Sequence, residues 1–211
     1  MPSIETARQW YAEVDAVHDF DHVLRVYRMA EHLAKEEGAD LGIVRAAALL
    51  HDARGTAPGS QARMEHHLAS ALFAAEVLAA EGWRSARIEA VQHCIRSHRF
   101  RAEDEPPQTI EAKIIFDADK LDVLGAVGVA RVVQYATLAG QPVFSEPSAQ
   151  FLATGKEAPG EPHSAYHEHL FKLSKVRERL FTDAAKRMAD ERHAYLEGYF
   201  QRLQQEWYGE K

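Results

Sequence analysis

The spacing of apolar residues is helical along most of the chain. Side chains three or four positions apart form a first apolar stripe, and Gly38 follows it as a natural helix stop; the stripe runs through His22, Val26, Met29 and Leu33. Asp40 is suited to cap the next segment, LGIVRAAALLHD, through its side-chain oxygen. No run alternates apolar and polar residues as a half-buried strand does, and the short run KIIF is predicted to lie within a helix. The pattern therefore predicts an all-α protein.

The second half of the chain adds a long loop to this helical pattern. The segment TIEAKIIFDADKLDVLGAVGVARVVQYA is predicted to be one long helix or two abutting ones. Residues at about 140–162 include four Pro and three Gly, and we expect a loop there, either a lid or a poorly ordered insert. Closing helices are expected over 165–209. Since the chain has 211 residues and no internal repeat, we expect a single domain over 1–211.

Three histidines lie on apolar helical stripes. Two stripes share the offsets i, i+3, i+7 and i+10 and end on a histidine in the last predicted turn; they are Leu41, Val44, Ala48, His51 and Ile88, Val91, Ile95, His98. His22 heads the third stripe. A single histidine on an apolar face is more often a hydrogen-bonded core residue than a ligand. Three of them from three segments could converge on one metal ion, as ligands do in helical bundles.

Acidic residues accompany these histidines at two places. Asp52 directly follows His51 after the apolar run RAAALL, where a buried carboxylate needs a strong partner and a helix C-terminus is unfavourable for an anion. A bound cation would supply that partner. In the second cluster, DADKLD, Asp119 and Asp122 share one helical face, whereas Asp117 lies on another. Periodicity alone does not choose between Asp117 and Asp119 as a ligand.

The composition restricts the chemistry of such a site. The chain has 12 His but only one Cys, so disulfide scaffolds and Cys-rich metal sites are excluded and the ligand atoms must be nitrogen and oxygen. The net charge of −7 argues against binding to nucleic-acid polymers. No apolar run is long enough for a membrane span, and the start MPSIETARQW lacks the features of a secretory signal. We therefore expect a cytoplasmic protein; the sequence leaves a homo-oligomer open.

The order of these residues resembles the H…HD…D signature of the HD-domain metal-dependent phosphohydrolases. His22 within HDFDHVLRV, the His51–Asp52 pair after AALL, and ADKLD follow one another in that order. DADKLDVLGAVGVAR is similar to the ligand-bearing helix of a bacterial HD hydrolase subgroup, and ADERHAYLEGYF is similar to a closing helix of that subgroup. The resemblance covers most of the chain. It implies a compact multi-helix HD-domain bundle.

The resemblance also implies a set of metal ligands. Its four signature positions fall on His22, His51, Asp52 and Asp119. It favours Asp119 over Asp117 because the family's ligand is the Asp that precedes a basic residue and Leu. Binuclear members carry two further histidines, which His66 and His98 resemble, with His67 left open as an alternative to His66. The remaining candidates are set aside: His93 lies off its stripe, and His18–Asp19 is a second HD dipeptide in which Asp19 is expected to orient His22 or cap its helix.

Catalytic and substrate-binding roles follow from the same resemblance and from sequence proximity. Asp52, Lys120 and Arg25 are expected to take part in catalysis. Arg54 and Gly55 stand where some related members carry an acid, so the metal ion itself or Asp52 would activate the attacking water. Cations near the ligands can bind phosphate, and arginine does so through bidentate contacts. The expected substrate-binding residues are Arg54, Arg96, Arg99 and Asp122, and Arg101 lies close to them in sequence.

These ligand types suit Mn, Fe, Ni, Co, Zn or Mg, and we expect one or two ions. The expected function is hydrolysis of a phosphoester bond in a small phosphorylated substrate by metal-activated water. The family implies that this substrate is a nucleotide. Two other hypotheses remain: a catalytically silent metal- or nucleotide-binding regulatory module, and a structural helical protein whose core histidines are satisfied by hydrogen bonds.

Overall fold

A computed structural model describes residues 1–11, 20–54, 65–99 and 105–211 of the chain. Within these ranges the secondary structure consists of α-helices and short 3-10 turns, with no strand, which confirms the predicted all-α class. The chain divides into two compact units. The first unit contains Met1–Lys120 and Leu180–Ala185, and the second contains Leu121–Arg179 and Lys186–Lys211. The single domain expected over 1–211 stays a prediction.

Helices of the first unit carry the histidine stripes. They are α1 (Ile4–Arg8), α2 (Phe20–Glu37), α3 (Leu41–Leu50), α4 (His66–Ala80), α5 (Ser85–Ser97) and α6 (Ile110–Leu121), whose last residue belongs to the second unit. Helix α2 ends before Gly38, which has a φ of 72°, as the sequence predicts. Asp40 caps α3, because its Oδ1 accepts hydrogen bonds from the backbone N–H groups of Gly42 and Ile43.

Helix packing in the first unit buries the apolar stripes. Helix α3 packs against both α2 and α5, and α4 packs against α5. The apolar residues of the predicted stripes lie in this core, including Leu33 of α2, Val44 of α3 and Ile95 of α5, all fully buried. Burying a side chain of this size contributes about 1.5–3 kcal/mol. The stripes therefore fix which face of each helix turns inward, and so the direction in which each terminal histidine points.

The second unit contains the remaining helices. They are α7 (Gly125–Leu138), α8 (Ala149–Thr154), α9 (Ala165–Phe171) and most of α10 (Asp183–Trp207), with 3-10 turns at Leu173–Lys175 and Arg177–Arg179. The long segment that includes KIIF forms two helices, α6 and α7. At the start of α7, Gly128 allows the backbone of Val123 to approach closely. A Cβ at this position would lie 2.2 Å from the carbonyl oxygen of Val123. Among the described residues no single helix is long and apolar enough to cross a membrane; the bent pair α6 and α7 passes that test by length and composition only.

The region predicted as a loop, 140–162, contains the short helix α8. Glu161 ties it together, because its carboxylate accepts hydrogen bonds from the backbone N–H groups of Ser148 and Ala158 and from the Ser148 hydroxyl. Gly155 ends α8 with a φ of 70°. The region thus contains one short helix and hydrogen-bonded turns, and both alternatives, a lid and a poorly ordered insert, stay predictions. The closing region 165–209 contains α9 and α10, which are separated by the two 3-10 turns.

Candidate metal centre

Two histidines with equivalent sequence patterns adopt equivalent geometry. His51 follows α3 and His98 follows α5 as C-cap residues, and both imidazoles are buried. The Nδ1 atom of His51 lies 2.8 Å from the carbonyl oxygen of Ala48, and Nδ1 of His98 lies 2.6 Å from that of Ile95. Because a carbonyl only accepts, each Nδ1 donates its proton, and each Nε2 keeps its lone pair. This is the arrangement in which metal-binding histidines are held by the surrounding protein.

Six side chains form two groups that could each hold a metal ion. The first ligand group is His22, His51 and Asp119, and the second is Asp52, His66 and His98. Within each group the candidate ligand atoms all lie within 4.8 Å of one another. The rings of His51 and His98 join the two groups, with their centroids 5.2 Å apart. All six residues belong to the first unit.

In both groups a carboxylate oxygen lies close to imidazole nitrogens. In the first group, Nε2 of His22 lies 3.4 Å from Oδ1 of Asp119. In the second group, Oδ1 of Asp52 lies 3.0 Å from Nε2 of His66 and 3.4 Å from Nε2 of His98. Oδ2 of Asp52 also lies 3.7 Å from Nε2 of His51. Asp52 therefore faces imidazoles of both groups.

Two buried atoms of this cluster, Nε2 of His51 and Oδ1 of Asp52, lack a hydrogen bond among the described residues. Within the part of the chain that the structure describes, Nε2 of His51 has no hydrogen-bond partner although it is fully buried. A buried polar atom without a partner costs about 1–3 kcal/mol, so such atoms are uncommon and need an explanation. A buried imidazole lone pair beside two carboxylates is suited to bind a divalent cation. The donor set therefore fits a divalent metal ion.

The charges in the cluster favour neutral imidazole beside ionised carboxylate. Burial lowers the pKa of His51 to about 4, so its ring is neutral at neutral pH. Burial alone would raise the pKa of Asp52, but His51, His66 and His98 together hold it well below its usual range. Burial likewise opposes ionisation of Asp119, whereas Lys120 and His22 hold the pKa of this carboxyl well below its usual range. Both acids are thus in the form that metal binding requires.

The structure separates Asp117 from Asp119, which periodicity could not do. Asp117 is fully buried and accepts hydrogen bonds from the backbone N–H groups of Phe181 and Thr182 and from the Thr182 hydroxyl. Its oxygens thus anchor the Leu180–Ala185 segment to α6. Asp119 instead faces His22. Of the two acids, only Asp119 belongs to a candidate ligand group in the described residues.

The predicted cations take different positions around the cluster. Lys120 Nζ donates to Oδ2 of Asp119 over 2.7 Å, and the half-buried Arg25 lies one turn after His22 in α2. The exposed Arg54 has its guanidinium 3.5 Å above the ring of Phe73. Arg96 is bound by Glu105 and Glu89, and an amino group of Arg99 lies 3.1 Å from Nδ1 of His66.

Among the described residues, the other candidates belong to neither ligand group. His67, half-buried, contacts the ring of His66 but belongs to neither group. His93 lies 2.5 Å from a Glu105 oxygen through Nδ1 and accepts from the backbone N–H of Gln108 through Nε2. In the second unit, Asp122 is buried and accepts a hydrogen bond from Arg131. His18, Asp19, Gly55 and Arg101 lie outside the described residues.

Two residues that the sequence analysis missed support the candidate centre. The buried Tyr11 donates its hydroxyl proton to the carbonyl oxygen of Leu49, which steadies the last turn of α3 just before His51. Burial, reinforced by the charge of Asp52, raises the pKa of this phenol well above its usual range. Ser70 of α4 accepts from the backbone N–H of Arg54 and donates to its carbonyl oxygen. No local pattern marks either residue, because each contact joins positions far apart in the chain.

Comparisons with known proteins identify relatives of this chain in sequence and in fold. The family model of the HD domain matches residues 19–124. The YpgQ protein of Bacillus subtilis strain 168 is 30% identical over 209 residues, which cover 96% of this chain and 92% of the relative. A crystal structure of Bacillus subtilis YpgQ in complex with ADP is similar with a TM-score of 0.76 and 28% identity, over 98% of this chain and 99% of that one.

A second solved structure is described as an HD-superfamily hydrolase. It comes from Bacillus thuringiensis and superposes with a TM-score of 0.73 at 26% identity, over 98% of this chain and 95% of that one. The matched family segment contains every residue of both ligand groups. The chain therefore belongs to the HD-domain family.

Proposed function

We propose that this protein is a metal-dependent phosphohydrolase that acts on a small phosphorylated substrate, with nucleotides as the substrate class. The observation that carries the proposal is the pair of buried ligand groups, His22, His51, Asp119 and Asp52, His66, His98. Each group combines imidazole nitrogen with carboxylate oxygen, the donor set of hydrolytic metal centres. One ion would occupy the first group, and a second ion the other.

The residues around the centre are suited to different roles in hydrolysis. A bound divalent ion would supply an activated water and polarise a phosphoryl oxygen. Asp52 faces imidazoles of both groups, so its carboxylate is placed to orient the attacking water and accept its proton. Lys120, held against Asp119, and Arg25, one turn from His22, add positive charge where the phosphoryl group would gain negative charge.

One observation favours a nucleotide, and a second favours a phosphate-bearing substrate in general. The similar Bacillus subtilis YpgQ structure was solved in complex with ADP. In this chain Arg54 stands two residues after Asp52, exposed, with its guanidinium stacked on Phe73. NH1 of Arg54 donates to the carbonyl oxygen of Ala53, and the other guanidinium nitrogens lie in a plane that suits contacts to phosphate. Arg96, Arg99 and Asp122 are retained as proposed substrate-binding residues, although each already has a protein partner.

The proposal is tested by metal content and phosphate release. Purified protein would be analysed for bound metals, stripped with a chelator, and assayed with a nucleotide panel in Mn²⁺ or Mg²⁺. We expect release that depends on added metal and falls at least about 100-fold in Asp52→Ala and Asp119→Ala, since loss of a direct ligand should exceed the effect of losing a residue behind one. Asp190→Ala, which removes an exposed acid of the second unit, is the matched control.

The same assay separates the competing hypotheses. Metal and nucleotide binding without any release of phosphate or pyrophosphate would favour the silent binding module. Protein without metal affinity would favour the structural hypothesis. Full activity and metal content in Asp119→Ala would contradict the proposed ligand set.

A further inference from the structure

The three histidines nearest Asp52 differ in what holds their second ring nitrogen. For His51 and His98, Nδ1 faces a backbone carbonyl, at 2.8 and 2.6 Å. For His66, Nδ1 faces the guanidinium of Arg99, with NH1 3.1 Å away. Carbonyl oxygens only accept hydrogen bonds, and arginine only donates them. The Nδ1 atoms of His51 and His98 therefore carry a proton, whereas that of His66 carries a lone pair.

This difference decides which atom of His66 is protonated. A neutral imidazole has one N–H, so the proton of His66 lies on Nε2, the nitrogen that is 3.0 Å from Oδ1 of Asp52. The proton of His66 thus lies on the very atom that would bind a metal ion, 3.4 Å from Nε2 of His98. His51 and His98 present a lone pair there instead.

We propose that Arg99 is a positioning residue that controls occupancy of the second ligand group. An ion can bind Nε2 of His66 only if the proton of the ring moves to Nδ1, and Nδ1 can then no longer accept from Arg99. The Arg99–His66 hydrogen bond and an ion on His66 therefore exclude each other. Binding of the second ion therefore breaks the contact between NH1 of Arg99 and Nδ1 of His66. This inference rests on the proposed metal centre.

Metal titration of three proteins tests the inference. Chelator-treated wild type, Arg99→Met and Arg84→Met would be titrated with Mn²⁺ by calorimetry, and bound Mn²⁺ would be counted by electron paramagnetic resonance. Arg84 is the charge-matched control because it is exposed and precedes α5, whereas Arg99 follows the other end of that helix. We expect Arg99→Met to bind the second Mn²⁺ about tenfold more tightly, as loss of one competing hydrogen bond to a charged group predicts. Arg84→Met should match wild type.

Each result of the titration has one meaning. An unchanged or weaker second site in Arg99→Met, or a single ion in both wild type and Arg99→Met, overturns the inference while the first ion upholds the proposed metal centre. No bound ion in any of the three proteins overturns the proposed function itself. A tighter second site in Arg84→Met as well would show a general effect of charge, which also overturns the inference.

A spectroscopic measurement on the unmodified protein does not depend on the folding of a variant. Long-range proton–nitrogen NMR spectra distinguish the two tautomers of each histidine, and His66→Gln assigns the His66 signals. In metal-free protein we expect His66 to carry its proton on Nε2 while His51 and His98 carry theirs on Nδ1. Saturation with diamagnetic Zn²⁺ should shift His66 to the Nδ1 form. An Nδ1-protonated His66 in metal-free protein would overturn the inference.

Discussion

Two imidazoles of this protein, His51 in the first unit and His167 in the second, are equally and fully buried but differ in their hydrogen bonds. Both ring nitrogens of His167 have hydrogen-bond partners, since Nδ1 lies 2.7 Å from the Ser164 hydroxyl and Nε2 lies 3.0 Å from a Glu161 oxygen. Within the described residues, Nε2 of His51 has no such partner. Burial alone therefore does not distinguish a ligand from a core histidine. A ring nitrogen without a partner does so only beside other ligand atoms, because Nδ1 of the buried His169 also lacks a partner among the described residues and His169 belongs to neither ligand group.

The carboxylates of the two regions differ in the same way. Glu161 is held by donors that the chain itself provides, two backbone N–H groups, a hydroxyl and the imidazole of His167. Asp52 is surrounded instead by ring nitrogens at 3.0 to 3.7 Å. The first arrangement stabilises a loop without any ligand. The second has the donors of a metal centre in place.

The largest expected effect follows from exchanging each of these two histidines for glutamine. His51→Gln should lose bound metal and lower phosphate release at least about 100-fold, because a ligand of the first group is removed. His167→Gln should keep metal and activity but lower the free energy of unfolding by about 1–3 kcal/mol, since its buried partners lose a hydrogen bond. Elemental analysis, phosphate release and thermal unfolding measure the two outcomes.

The contrast between His51 and His167 would be contradicted if His51→Gln and His167→Gln behaved alike. Metal loss in His167→Gln would mean that a complete hydrogen-bond network in the second unit still supports the metal centre. Full metal content in His51→Gln would remove the unpartnered Nε2 as a sign of a ligand. The unfolding measurements are made in chelator, so that the contribution of bound metal is absent from both variants.

A second contrast of this kind lies within one helix, α6, between Asp117 and Asp119. Asp117→Asn should leave metal content intact and lower the free energy of unfolding by about 2–3 kcal/mol, because an amide cannot accept from all the donors of Phe181 and Thr182. For a chain of this size that corresponds to a melting temperature lower by about 5–10 °C. Asp119→Asn should instead lose metal, which elemental analysis would show. Metal loss in Asp117→Asn would contradict the assignment.

This pair also shows how far the sequence could predict the candidate centre. The inward positions of His22, His51 and His98 follow from local periodicity, because apolar stripes record which helix face is buried. Periodicity places both Asp117 and Asp119 within an apolar segment, and only the resemblance to a family favoured Asp119. The physical difference between them, the backbone donors of Phe181 and Thr182, lies more than 60 residues away in the chain. Local patterns do not contain contacts of that range.

The parts of the structure that the sequence did not predict have the same origin. Closing helices are predicted over 165–209, yet α9 ends at Phe171 and two 3-10 turns follow it. The side chain of Arg99 was expected to bind substrate because of its place in sequence, whereas its contact with His66 depends on how α4 packs against α5. Tyr11 escaped notice because its partner, Leu49, is on another helix. Tertiary packing decides each of these features.

A smaller effect on the melting temperature, which depends on pH, is expected from the hydrogen bonds of Glu161 in the second unit. The hydrogen bond with His167, together with those from Ser148 and Ala158, lowers the pKa of Glu161 to about 2, from an ordinary value of 4.5. A lowered pKa in the folded state stabilises the protein above the unfolded-state value, and that stabilisation is lost as the pH falls toward about 2. Glu161→Gln should therefore melt below wild type at neutral pH, and the difference should shrink between about pH 4.5 and about pH 2.

Thermal unfolding of both proteins across this range tests the sign of the effect. A difference in melting temperature that grows as the pH falls would contradict the prediction, since it would mean that protonated Glu161 stabilises the fold. Asp190→Asn is a control, because its carboxylate pairs with Arg177 on the exposed surface rather than within this network. It should change the melting temperature only slightly at any pH.

The smallest expected effect concerns a histidine of the first unit whose hydrogen bonds are complete. His93 lies on α5, five residues before His98, and both of its ring nitrogens have partners, Glu105 and the backbone of Gln108. His93→Gln should lower the free energy of unfolding by about 1 kcal/mol and leave both Mn²⁺ affinities unchanged, because glutamine replaces only part of this bonding. His98→Gln, the matched change on the same helix, should weaken the second Mn²⁺ site. If His93→Gln weakened it equally, proximity to the centre rather than incomplete hydrogen bonding would decide which histidines matter for metal binding.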